Sequence, residues 1–144
     1  MSPTTTPEPW RRRLIVFLAI ALAFGAAHHG EHIVRDVVGW PFADEITPFT
    51  FSLAIYPAVL LGLYLFSRRL VGSGFWTILT GAGALVVGFI HATPFGDEHP
   101  RDVFEAYDSA VAGGLAVAIA FALVAALVAA SVYAGVQWAR RVSA

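Results

Sequence analysis

Four stretches of this chain are apolar for long enough to cross a lipid bilayer: roughly Leu14 to Ile33, Phe49 to Phe66, Val71 to Thr93, and Ser109 to Trp138. A helix needs about 20 apolar residues to cover the hydrocarbon. The expected fold is therefore an all-α membrane protein, a four-transmembrane-helix bundle. Composition agrees: of 144 residues, 58% are hydrophobic and 13% charged, where an ordinary soluble domain is about 25% charged. The last stretch is long enough to tilt or to project from the bilayer.

Residues 1–10 are rich in Thr and Pro and read as a disordered tail, leaving 11–144 as the transmembrane domain. Arg11, Arg12 and Arg13 followed by the apolar run Leu14 to Ala27 also have the grammar of a signal peptide. The expectation adopted is a retained first span.

Arginine placement orients the bundle, because positive residues stay on the cytoplasmic side. Arg11, Arg12, Arg13, Arg68, Arg69, Arg140 and Arg141 flank one side, and only Arg35 and Arg101 the other. Both termini are expected inside the cell membrane, with the loops near 36–48 and 94–108 outside. Those loops hold Asp36, Asp44, Glu45, Asp97, Glu98, Asp102, Glu105 and Asp108, with Glu31 just below them and Glu8 the one acid inside. Trp10, Trp40, Trp76 and Trp138 fall near the interfaces and read as anchors there. Glycines 81, 83, 88, 113 and 114 with the alanines of the last two spans indicate close helix packing.

The two halves share landmarks in the same order. Arg12, Arg13 and Leu14 recur as Arg68, Arg69 and Leu70; Gly25 precedes His28 as Gly88 precedes His91; Glu31 and His32, then Arg35 and Asp36, recur as Glu98 and His99, then Arg101 and Asp102. This predicts two parallel two-helix repeats, about 11–67 and 68–141, related by an axis along the membrane normal.

The chemistry gathers on the outer side, where all five histidines lie. At 1.5 Å per residue, His28 stands about 21 Å and His32 about 27 Å beyond Leu14 along the first helix. His28, Glu31, His32 and Arg35 share one arc of that helix, with His29 at its edge. Two histidines four residues apart on a helix present two imidazoles to one ion. His91 is the expected third ligand, and His29, His99, Glu31, Glu98, Glu105 and Asp108 are candidates for a fourth. Ionisable groups at membrane depth are costly, and that cost favours a functional role over a structural one. Asp102, Glu105 and Asp108 also have a simpler role, since acids favour a helix start and Pro100 suits a first turn.

Cysteine is absent, which excludes disulfides, thiolate sites and iron-sulfur clusters, and the single methionine is the initiator. Nitrogen and carboxylate donors suit Zn(II), Cu(II), Fe or Mn. The leading expectation is thus a transition-metal site at the extracytoplasmic face, in a metal-dependent membrane enzyme with Glu31 or Glu98 as proton acceptor, or in a metal-binding subunit. One alternative is a b-type haem between His28 or His32 and His91, with Gly25 and Gly88 leaving room for the porphyrin. Another is an accessory subunit of a larger membrane complex or a homo-oligomer. A transporter is disfavoured, because the mid-span positions lack ionisable groups. No phosphate loop, nucleophile elbow or nucleic-acid surface is present, so the partner expected first is the lipid bilayer.

Overall fold

The structure, a computed structural model, describes residues 8–35, 48–96 and 98–143. Asp36, Trp40, Asp44, Glu45, Asp97 and the tail over 1–7 lie outside the described residues. Among those described, every regular element is a helix: α1 (Pro9–Val34), α2 (Pro48–Ser52), α3 (Ile55–Ser67), α4 (Ser73–Ala92), α5 (Pro100–Glu105) and α6 (Ala110–Val142). Four helical segments are long and apolar enough to cross a membrane: Pro9–Val34, Phe49–Ser67, Ser73–Ala92 and Ala110–Val142. Helices suit that role because each satisfies its own backbone hydrogen bonds where no water can.

The first and last spans run past their apolar cores. Pro9 opens α1, where a missing N–H costs nothing, and the helix then takes in Arg11, Arg12 and Arg13. Arg140 and Arg141 occupy the last turn of α6, where the helix dipole favours cations. The second span is jointed. Between α2 and α3 the backbone turns through Leu53 N to Thr50 O and Ala54 N to Phe51 O bonds, and Pro57 has no N–H with which to continue an i to i−4 ladder.

α6 is the central strut, with backbone seams against α1, α4 and α5. Small residues make those seams possible: Gly113, Ala116, Ala120, Ala130 and Ala134 are buried along it. At the α4 seam a Cβ on Gly81 would lie 3.0 Å from Ser131 Oγ, while Ser131 Oγ donates to the Thr77 carbonyl at 2.9 Å. Close approach of this kind, with a hydroxyl bonded across the seam, is how membrane helices associate where lipid removes the hydrophobic drive. Gly25 and Gly88 belong to the same pattern, their Cβ positions lying 3.9 Å from Leu123 and Val124 of α6. Both glycines thus face α6 at ordinary van der Waals distance.

At the arginine end Leu14, Leu18, Phe66, Trp76, Ala130 and Ala134 form a buried core. Trp76 departs from its expected role as an anchor. It is fully buried, because the indole fills the gap left by Gly62, whose Cβ would meet its ring at 3.0 Å. Trp10 is the ring that gathers charge there, bonded to Glu8 and lying under the Arg141 guanidinium at 4.2 Å, which in turn pairs with Glu8 at 2.8 Å. Arg11 donates to the Phe66 carbonyl and so ties α1 to the end of α3. Large apolar side chains such as Val16, Leu60, Leu61, Ile78, Leu85 and Val132 remain exposed around the outside, an apolar exterior suited to lipid.

A second correction concerns the acids expected to open the fourth span. Pro100 and Asp102 begin the separate short helix α5, whereas α6 starts at Ala110 with Ser109 Oγ as its cap. The hydroxyl accepts from the Ala112 amide, so no acid is needed.

Candidate metal centre

His28 and His32 project from the last two turns of α1 and His91 from the last turn of α4; all three are buried. Their ring nitrogens converge: His28 Nε2 lies 3.3 Å from His32 Nε2 and 3.1 Å from His91 Nε2. One ligand atom from each of the three lies within 4.8 Å of the others. A tetrahedral ion with metal–nitrogen bonds of about 2.0–2.1 Å spaces its ligands about 3.3–3.4 Å apart. The two closest separations are therefore near those of ligands sharing one ion. Among the described residues no other His, Asp or Glu joins the group.

The partner on the far side of the His91 ring favours the ligating form. His91 Nδ1 sits 3.2 Å from the Glu98 carbonyl oxygen. A carbonyl only accepts, so Nδ1 carries the hydrogen and Nε2 keeps its lone pair for an ion. His32 Nδ1 lies between Arg35 Nη2 at 3.4 Å and the Glu98 carboxylate at 3.9 Å. His28 Nδ1 is buried without a partner, and the Phe49 ring lies against His32 at 5.4 Å between centroids.

Behind the histidines runs a charge network. Arg35 Nε is 2.7 Å from Glu31 Oε1 and Arg35 Nη2 is 2.7 Å from Glu98 Oε2. Tyr107, from the turn between α5 and α6, donates to Glu31 Oε1 at 2.9 Å. Burial, then the hydrogen bond to Glu31, pushes the Tyr107 phenol above its ordinary range. Both carboxylates thus face the Arg35 guanidinium, and Glu31 the phenol as well.

The other candidates fall elsewhere. His29 turns toward the second span: its Nε2 lies 2.8 Å from Ser52 Oγ and its Nδ1 2.7 Å from Tyr56 OH. Ser52 itself donates to the Phe49 carbonyl at 2.6 Å. His29 Nδ1 also lies 2.9 Å from the Gly25 carbonyl oxygen one turn back on α1. His29 is a polar tie between α1 and the joint of the second span. His99 caps α5, accepting from the Arg101 amide at 3.3 Å. Glu105 pairs with Arg101 at 2.7 Å, their side chains 58% and 76% exposed, and Asp108 is exposed. The paired landmarks of the two halves therefore meet different surroundings, Arg35 being buried and Arg101 in the open.

Sequence reasoning missed Tyr107, Phe49 and the coupling of Ser52 and Tyr56 to His29. None carries a periodic signal, and each matters only through a contact with a distant residue. No protein-family profile, curated protein or solved structure matches this chain.

Proposed function

We propose that this chain is a small integral membrane protein that binds one first-row transition ion through His28, His32 and His91, at the extracytoplasmic end of its bundle. The observation that carries this reading is the convergence of three buried Nε2 atoms at ligand spacing, His28 lying 3.1 Å and 3.3 Å from its two neighbours. Neutral imidazoles meeting at one point gain little from each other, because each ring has a single N–H to share. An ion takes all three lone pairs at once. The donor set is nitrogen alone, which suits Zn(II), Cu(II) or Fe(II). All three histidines come from one chain.

The carboxylates Glu31 and Glu98 act behind the ligands, balancing the charge of the ion together with Arg35. A haem is supported less well. Axial ligands on opposite faces of an iron stand roughly 4 Å apart, twice a metal–nitrogen bond of about 2 Å, and the closest pair here is at 3.1 Å with α6 packed against Gly25 and Gly88. Orientation with both termini in the cytoplasm rests on the arginine placement, and a cysteine placed at Ser143 of this cysteine-free chain should react with impermeant reagents from that side alone.

The deciding test is metal analysis with an optical spectrum on gently purified protein and on the His28→Ala, His32→Ala double variant. One ion per chain, lost in the variant, supports the reading. A wild-type chain without metal that takes up none on incubation overturns it, and a Soret band moves the centre to haem.

A further inference from the structure

Glu98 acts on two of the three histidines by two different groups, a hydrogen bond to one and a nearby charge on the other. Its carbonyl oxygen meets His91 Nδ1 at 3.2 Å, and its carboxylate faces His32 Nδ1 at 3.9 Å. We infer that Glu98 is the positioning residue of the centre, a single residue on the segment between α4 and α5 that sets the tautomer of two ligands on two different helices. The inference rests on the metal-binding reading for its purpose, though the tautomers themselves exist without any ion.

His32 shows why the carboxylate matters. Two groups compete for its Nδ1: the Glu98 carboxylate, whose negative charge 3.9 Å away favours an N–H there, and Arg35 Nη2 at 3.4 Å, which as a donor favours a bare nitrogen. If Arg35 prevailed, the hydrogen would move to Nε2 and would have to leave it before the ring bound an ion there. Glu98 opposes this twice over. It supplies the negative charge beside Nδ1, and it engages the same Arg35 Nη2 through its other oxygen at 2.7 Å, far closer than that nitrogen is to His32. Arg35 is held at its other face by Glu31 at 2.7 Å, and Glu31 by Tyr107 at 2.9 Å. The chain Tyr107, Glu31, Arg35, Glu98 thus fixes where the carboxylate stands. His91 needs none of this, since its partner is backbone.

The test reads tautomers directly. The full chain, labelled with 15N-histidine and kept metal-free at pH 8, is compared with Glu98→Ala and Glu98→Asp by imidazole 15N shifts, and each is titrated with Co(II) followed by its absorption bands. The expected result is Nδ1–H at both His32 and His91 in the wild type. In Glu98→Ala, His32 shifts toward Nε2–H while His91 holds, and Co(II) affinity falls about 10- to 100-fold, the usual cost of losing an outer partner. Glu98→Asp should restore part of both. Nε2–H at His32 in the wild type overturns the inference, and that measurement stands even if a variant fails to fold. So does an unchanged His32 tautomer with unchanged Co(II) affinity in Glu98→Ala. A wild-type chain with the expected tautomers that takes up no cobalt upholds the positioning role and overturns the metal-binding reading instead.

Discussion

His28 on the first span and His91 on the third stand 63 positions apart in the chain, and their Nε2 atoms meet at 3.1 Å. The separation has a stability consequence. An ion held by both residues ties α1 to α4 in the folded state only, so it should stabilise the fold by about 2.7 kcal/mol at a free concentration 100 times its Kd. Thermal unfolding in detergent with and without Zn(II) should show a raised Tm for the wild type and no response for His91→Ala. An equal rise in both would remove His91 from the centre.

The buried and exposed arginines of the two halves should behave differently on replacement. Arg35→Met leaves the carboxylates of Glu31 and Glu98 without their common cation, in side-chain surroundings 7% and 16% exposed. Removing one partner of a buried pair costs about 3–5 kcal/mol. Arg101→Met breaks a pair in open solvent, where ion pairs contribute little, and its unfolding midpoint should match the wild type. Denaturant unfolding of the two variants side by side checks both statements.

Damage at the arginine end should leave the metal centre intact. Leu14 is fully buried in the core with Trp76 and Phe66, so Leu14→Ala should cost about 2–5 kcal/mol through the cavity it leaves. Leu14 and His28 are about 21 Å apart along α1, and distant sites act independently. Zn(II) content of the folded variant should remain that of the wild type; loss of metal would show that the two ends are coupled.

Alkaline pH should act through Tyr107. Its phenol is raised by burial and by its bond to Glu31, so the folded value lies above the unfolded value of about 10. The corresponding stability is complete below that unfolded value and is lost as pH climbs through the folded one. Tyr107→Phe should therefore lose less stability between pH 9 and 12, on the order of that phenol range, than the wild type does. Parallel curves for the two proteins would exclude this contribution.

Local pattern made much of the molecule legible before its tertiary structure. The apolar runs marked four spans because a helix in lipid must be apolar over a fixed length. The four-residue spacing of His28 and His32 placed both on one face of α1, since 3.6 residues make a turn. Trp76 shows where such reasoning stops: its position near a span end indicated an interface, while its burial depends on Gly62 in another helix leaving a space of the right size.

The centre divides in the same way. Residue types, their side of the chain and the pairing of His28 with His32 were determined by the sequence alone, through helix geometry and the cost of ionisable groups at membrane depth. The tertiary structure brought His91, the third ligand expected from the sequence, to that pair, and it alone decided that His29, adjacent to His28 in the chain, turns away to Ser52 and Tyr56. It also put Glu98 behind the ligands, where Arg35 holds it. These outcomes depend on how closely α1 and α4 approach across the small residues of α6, and an interhelical distance is a property of packing that no periodicity along one helix encodes.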